Sequence, residues 1–170
     1  LCQHIAAGEP ITDTPSLVYV DGDAQSLVFN DVADVLPAEQ LPQIDLSGLG
    51  VGTGGKYLTP MPMAPLMTSR GCYWDKCAFC DHARTLGAGY RELPVDAIAD
   101  NMETFARDYG VEAIFLCDES LSPAMVHRLT DTFAERDFFM RYTSMARVEK
   151  AFIPLVGPAA ERGLRSLSFG

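Results

Sequence analysis

This sequence is short of positive charge and of long apolar runs. It has 13 Lys and Arg residues against 23 Asp and Glu residues, which gives a net charge of −10. General binding to nucleic acid or to an anionic membrane requires clustered basic side chains, so neither is expected. No apolar stretch is long enough to cross a bilayer, and no basic-then-apolar leader is visible. Neither a membrane-spanning helix nor a secretion signal is therefore predicted.

The chain also lacks the cysteine pattern of a disulfide framework. It has five cysteines, an odd number, of which Cys72, Cys77 and Cys80 share one short stretch while Cys2 and Cys117 stand apart. This usage is typical of a reducing compartment, so a cytoplasmic protein is expected. A second Cys-x2-Cys or His-x3-His pair, which most structural zinc sites need, is missing as well.

The composition itself is that of an ordinary globular protein. Of the 170 residues, 48% are hydrophobic and 21% are charged, which suits one domain with a substantial core. The chain begins with Leu1 and stops at Gly170 inside an apolar run. We therefore expect it to be a fragment of a longer protein.

Residues 68–82, T-S-R-G-C-Y-W-D-K-C-A-F-C-D-H, are the chemically most informative stretch. Three thiolates on one loop, with no fourth cysteine nearby, suit a [4Fe–4S] cluster that leaves one iron without a protein ligand. Two alternatives remain open. A Cys3His zinc site would add His82 to the three thiols and make the chain a zinc-stabilised binding module. A simple electron-transfer cluster would need a fourth thiolate, which Cys117 would have to supply.

The motif Cys72-x4-Cys77-x2-Cys80 resembles the cluster loop of radical S-adenosylmethionine (radical SAM) enzymes. Phe79 stands just before the last cysteine, as in that family, and S-R-G-C followed by an aromatic residue is similar to the branch whose catalytic domain follows a cobalamin-binding domain. The usual family spacing is Cys-x3-Cys-x2-Cys, and this loop has one more residue in the first gap.

The resemblance implies an enzyme. Cys72, Cys77 and Cys80 would hold the [4Fe–4S] cluster, S-adenosylmethionine (SAM) would chelate its open iron, and Phe79 would lie against the adenine. Reductive cleavage of SAM would give a 5′-deoxyadenosyl radical that abstracts hydrogen from a small-molecule or peptide substrate. The electron donor would be a flavodoxin or ferredoxin, and cobalamin would be bound in a domain outside these residues. No catalytic residue beyond the cluster is assigned, and the reaction outcome is open.

The apolar patterns predict an α/β fold. Residues 16–20 and 25–29 form a hairpin, and residues 30–65 form a proline-rich connector, so residues 1–63 are assigned to hairpin and linker. From residue 64 to 170, strands at 64–69, 111–117, 138–145 and 164–169 alternate with helices. The helices are predicted at 94–109, from Ser122-Pro123 onward, and as two short pieces within 148–162. By resemblance this is the N-terminal part of a partial (β/α)6 TIM-like barrel, cut after about four parallel strands. The glycine-rich run 50–56 resembles phosphate-binding loops, but the prolines after it argue against the helix such loops require.

Polar residues follow the predicted strands, where ligands collect in parallel α/β folds. Glu119, or with less support Asp118, is the candidate to receive the amino group of SAM, the alternative being that both cap the turn into the next helix. Ser144 and Arg147 are candidates for the ribose or the SAM carboxylate. The alternative for Arg147 is an ordinary salt bridge.

Overall fold

A computed structural model describes residues 1–23, 25–34, 36–41, 44–51, 59–81 and 89–170. The chain forms two compact units, Leu1–Leu36 and Pro37–Gly170. The boundary proposed at residue 63, between a linker and an enzyme domain, stays a prediction. No helix in the described ranges is long and apolar enough to cross a membrane.

The first unit contains the predicted hairpin. Helix α1 spans Cys2–Ala7 and ends at Gly8, whose φ of 69° is left-handed. Strands β1 (Val18–Asp21) and β2 (Ser26–Phe29) pair antiparallel, with Val18 opposite Phe29 and Asp21 opposite Ser26. The Asp21 carboxylate accepts a hydrogen bond from the Asp23 amide at 3.0 Å, as expected of an acidic turn residue.

The second unit alternates strands and helices along the chain. Its elements, in chain order, are β3 (Met63–Leu66), β4 (Ser69–Arg70), β5 (Arg91–Glu92), α2 (Val95–Tyr109), β6 (Ala113–Leu116), α3 (Pro123–Glu135), β7 (Arg141–Ala146), α4 (Val156–Glu161) and β8 (Leu164–Phe169). Strands β3, β6, β7 and β8 form one sheet in that order, and every pair is parallel. The predicted parallel α/β architecture is confirmed. Its consecutive strand order is compatible with a partial α/β barrel.

The helix boundaries follow local sequence signals. Pro94 precedes α2, and Gly110 ends it with a left-handed φ of 64°. Helix α3 begins at Pro123, and the Ser122 hydroxyl caps it by accepting the Met125 amide at 3.0 Å. Both helices were predicted at these positions. Residues 148–162, predicted as two short helical pieces, form a 3₁₀ turn at Lys150–Phe152 and then α4.

The core lies between the helices and one face of the sheet. Phe133 of α3 meets Tyr142 of β7 edge to face, with ring centroids 6.1 Å apart. The connector takes part as well, because Leu46 is only 2% exposed and Asp45 accepts a hydrogen bond from the Tyr109 hydroxyl at 3.0 Å. The segment that was predicted to be an extended linker is therefore packed in part, with 3₁₀ turns at Ala38–Gln40 and Ser47–Leu49. The glycine-rich residues 52–56 lie outside the described ranges.

The first strand of the sheet is shorter than predicted. We expected it to run to Ser69, but β3 ends at Leu66, and Ser69 belongs to β4, which pairs antiparallel with β5. The chain leaves the sheet because Thr68 and Ser69 turn their polar groups toward a buried carboxylate of the neighbouring strand end, Asp118.

Candidate functional site

The loop that bears the three cysteines is closed at its base. Ser69 pairs with Glu92 and Arg70 pairs with Arg91 in the short β4–β5 ladder. Gly71 follows with a left-handed φ of 82°, and a Cβ atom there would lie 2.7 Å from a backbone oxygen of Gly89. Only glycine fits this close approach without a backbone shift. The two ends of the loop are thereby held together just before Cys72.

Asp118 anchors the start of this loop. Its side chain is fully buried, and its oxygens accept hydrogen bonds from the Thr68 amide at 3.1 Å, the Thr68 hydroxyl at 2.8 Å and the Ser69 hydroxyl at 2.6 Å. A buried carboxylate needs such donors to offset its lost hydration. Asp118 therefore ties the exit of β3 to the end of β6. The N-cap of the following helix is Ser122, and not Asp118 or Glu119, which the sequence offered as alternatives for capping this turn.

Two aromatic residues of the loop contact the end of the third sheet strand. The Arg147 guanidinium stacks on the Trp74 ring, 3.6 Å from its centroid, and the Lys76 ammonium lies 5.3 Å from the same centroid. The Tyr73 hydroxyl donates to Glu149, which also pairs with Arg147 at 3.3 Å. Burial, together with the bond to Glu149, raises the pKa of Tyr73. The loop that follows β3 thus reaches across to the end of β7.

A second polar group supports the other side of the loop. Tyr90 donates to Glu92 at 2.6 Å, and Glu92 also accepts from Ser122 at 3.2 Å and pairs with Arg128 of α3. Burial, followed by the bond to Glu92, raises the pKa of Tyr90. The rings of Tyr73 and Tyr90 meet edge to face at 6.0 Å. The two networks therefore brace the loop between α3 and the end of β7.

A cavity of about 290 Å³ opens at the carboxyl ends of the sheet strands. Glu119 and Ser120 line it from the end of β6, Arg147 from the end of β7, and Phe169 from the end of β8. The sequence predicted that the polar strand ends would meet at one edge, and for Glu119 and Arg147 they do. Carboxylate and guanidinium side chains that line one cavity can bind an ammonium and a carboxylate group of the same ligand, and here the Arg147 guanidinium already contacts Trp74 and Glu149.

The other predicted ligand-binding residues lie elsewhere. Ser144 is buried inside the sheet, and its hydroxyl donates to the Leu116 carbonyl at 3.1 Å. Phe79 is on the outside of the cysteine loop and is 92% exposed. Asp118 does not line the cavity, and its oxygens are taken by Thr68 and Ser69.

All three loop thiols are free. Cys72 and Cys77 are half-buried and Cys80 is exposed, with the Cys80 amide donating to the Cys77 carbonyl at 3.1 Å. Within the described ranges, no three His, Cys, Asp or Glu side chains are gathered closely enough to hold a metal ion. His82 of the zinc alternative lies outside those ranges. Three unpaired thiols on one loop with a fixed base fit a cluster by their chemistry, and the loop would have to draw the thiols together to hold one.

Comparison with protein-family models, with curated proteins and with solved structures gives no match for this chain.

Sequence reasoning missed the residues that fasten the loop. Glu149, Glu92 and Tyr90 act through contacts with residues far away in the chain, and no local motif marks them. A weak signal existed at Glu149, which lies two residues beyond Arg147 and shares its strand end. Asp118, the less favoured candidate for the amino group of SAM, also makes scaffolding contacts with Thr68 and Ser69 that the sequence did not predict.

Proposed function

We propose that this chain is part of a radical SAM enzyme in which Cys72, Cys77 and Cys80 bind a [4Fe–4S] cluster. One observation carries the proposal: three free thiols share a loop that is fastened at the carboxyl ends of a parallel sheet whose strands are in consecutive order. Ligand sites in such folds form at this edge. A partial (β/α)6 barrel is the finer fold that goes with the proposal.

Separate groups of residues would bind the cluster and hold its loop in place. The three cysteines would donate thiolates, while Tyr73 and Trp74, braced on Glu149 and Arg147, would hold the loop in place and limit the access of water. A cluster held by these three cysteines would supply the reducing electron for cleavage of the sulfonium carbon–sulfur bond of SAM.

The cavity beside the loop would orient SAM. Glu119 would accept hydrogen bonds from its amino group, and Arg147 would pair with its carboxylate through the N–H donors that its contact with Glu149 leaves over. Asp118 is the weaker candidate for the amino group because its oxygens already accept three donors. Phe79 would cover the adenine after the loop closes. Ser144 would contact the ribose only by releasing the Leu116 carbonyl.

The wider activity follows from the resemblance. We propose a cytoplasmic enzyme that takes electrons from a flavodoxin or ferredoxin and abstracts hydrogen from a small-molecule or peptide substrate. Cobalamin would be bound, if the enzyme uses it, by a domain outside these residues.

Anaerobic reconstitution with iron and sulfide, followed by electron paramagnetic resonance of the reduced protein, tests the proposal. We expect a [4Fe–4S]⁺ signal that changes when SAM is added. Replacing Cys72, Cys77 or Cys80 by Ala should abolish that signal. The matched controls Cys2→Ala and Cys117→Ala should retain it, because neither residue lies on the loop.

Other outcomes would identify the alternatives. Stoichiometric zinc, with no cluster signal, would support the zinc-stabilised binding module. Loss of the cluster in Cys117→Ala would indicate a four-cysteine electron-transfer centre, and the proposal of an open iron would be wrong.

A further inference from the structure

A second cavity lies beside the first sheet strand, within the second unit. Its volume is about 340 Å³, and its walls are mostly apolar. The connector contributes Leu41, Ile44 and Leu46, and the body of the unit contributes Pro65, Leu93 and Ile98. Small-molecule sites in proteins have this size and this apolar lining, with few polar groups that orient the ligand.

Most polar groups that line this cavity already have partners. The Asp45 carboxylate accepts the Ser47 amide at 2.8 Å and the Tyr109 hydroxyl at 3.0 Å, and these bonds lower the pKa of Asp45. The Asn101 side-chain amide donates to the Ala97 carbonyl at 2.7 Å. These groups therefore offer little to a ligand.

Arg70 is the exception. Its guanidinium contacts the Met67 sulfur at 2.9 Å and forms no ion pair with a carboxylate of the described residues. A thioether is a weak acceptor, so the five N–H donors of the guanidinium remain largely available. A cation with this capacity at an apolar cavity favours a ligand with an anionic head.

We propose that this cavity binds a small amphiphile with one carboxylate head and an apolar chain, such as a medium-chain fatty acid. The volume of 340 Å³ accommodates about eleven non-hydrogen atoms at the volume that a water molecule occupies in the liquid. The carboxylate would pair with Arg70, and the chain would lie among the leucine and isoleucine side chains. Asp45 also lines the cavity, which favours a singly charged carboxylate over a doubly charged phosphate. The proposal uses no loop cysteine, so it stands independently of the proposed function.

Cys117 provides a local probe because it lines the same cavity and is half-buried. The test measures the rate at which N-ethylmaleimide alkylates each cysteine of the metal-free chain under anaerobic conditions, resolved by mass spectrometry. Saturating decanoate should slow alkylation of Cys117 about fivefold or more and leave exposed Cys2 unchanged. Neutral 1-decanol should protect Cys117 much less. Isothermal titration calorimetry of decanoate gives the same comparison without depending on the thiol.

Three variants sharpen the test. Arg70→Gln should weaken decanoate binding about tenfold or more, whereas Arg70→Lys, which keeps the charge, should retain most of it. Ile44→Trp should block binding by filling the cavity. The proposal is overturned if calorimetry detects no binding, if decanoate slows Cys2 and Cys117 alike, or if Arg70→Gln binds decanoate as well as the parent chain. Equal protection by 1-decanol, or tighter binding of decyl phosphate, would overturn the assignment of a carboxylate head.

Discussion

At the scale of single residues, Asp118 shows how a buried charge can position a loop that it does not belong to. Its carboxylate lies at the end of one strand and accepts its hydrogen bonds from Thr68 and Ser69 at the end of the neighbouring strand. Because the Asp118 carboxylate is fully buried, water cannot take the place of the Thr68 and Ser69 donors. The position of Cys72 therefore depends on a residue far away in the sequence.

Replacing Asp118 by Asn tests this dependence. The amide keeps one acceptor oxygen but places an N–H₂ group against the Thr68 and Ser69 donors. We expect the free energy of unfolding to fall by about 2–4 kcal/mol in urea titrations, with little change in the denaturant slope.

The matched control is Asp131→Asn. Asp131 forms an exposed pair with His127 one helical turn away, and its loss should change the free energy of unfolding by less than about 0.5 kcal/mol. An equal loss in both variants would contradict the anchoring role of Asp118.

At the scale of elements, the helices could be predicted from the sequence with little error. Pro94 and Gly110 bound α2, and Ser122 and Pro123 start α3, because helix ends depend on local chemistry. The exit of β3 at Leu66 and the burial of Leu46 could not be predicted. Both depend on partners that only the folded chain brings near.

The start of β8 offers a further test at this scale. Gly163 has φ of 117°, and a Cβ atom there would lie 1.8 Å from the Met140 carbonyl oxygen. Gly163→Ala must therefore shift the backbone that begins β8. We expect a loss of more than about 3 kcal/mol in the free energy of unfolding, with reduced hydrogen-exchange protection across β8.

Gly157→Ala is the comparison for that variant. Gly157 lies in α4, has no unusual φ and, apart from its chain neighbours, has no atom within 4 Å of the added Cβ. Because Pro158 restricts the residue before it, alanine should gain little from its helix propensity and should change the free energy of unfolding by less than about 1 kcal/mol. If the two variants behaved alike, the close approach at Gly163 would not be what holds β8 in place.

At the scale of the whole molecule, the parallel sheet and its polar edge were predictable because repeated strand–helix patterns fix the direction of the strands. Because the strands run in the same direction, Glu119 and Arg147 could be expected at the same edge of the sheet. The burial of Ser144 could not be predicted, because a one-residue difference in register decides which face of a strand a side chain occupies.

We expect the free energy of unfolding of the whole molecule to fall at alkaline pH. Burial raises the pKa of Tyr142 well above its ordinary value of 10.0, and the pKa values of Tyr73 and Tyr90 are raised as well. Above about pH 10, only the unfolded chain ionises readily at these residues. The free energy of unfolding is therefore unaffected by ionisation of these three tyrosines below about pH 10. It falls as the pH rises from there toward their pKa values in the folded chain.

Tyr142→Phe isolates the contribution of one residue. Tyr142 is fully buried, and its hydroxyl makes no standard hydrogen bond to the residues the structure describes, so its removal at pH 7 should change the free energy of unfolding by less than about 1 kcal/mol. Above pH 10 the variant should lose stability less steeply, by about 1.4 kcal/mol per pH unit. Identical dependence of the free energy of unfolding on pH in the variant and the parent would contradict the raised pKa of Tyr142.

The consecutive order of the sheet also has a consequence for synthesis on the ribosome. Strand β3 and the cysteine loop are made before β6, the sheet partner of β3, and Thr68 and Asp118 are 50 residues apart. At typical translation rates this delay lasts a few seconds. During that interval the three thiols belong to a chain with no sheet beside it. Metal delivered then would meet a pliable loop, and metal delivered later would meet a loop already fastened at its base.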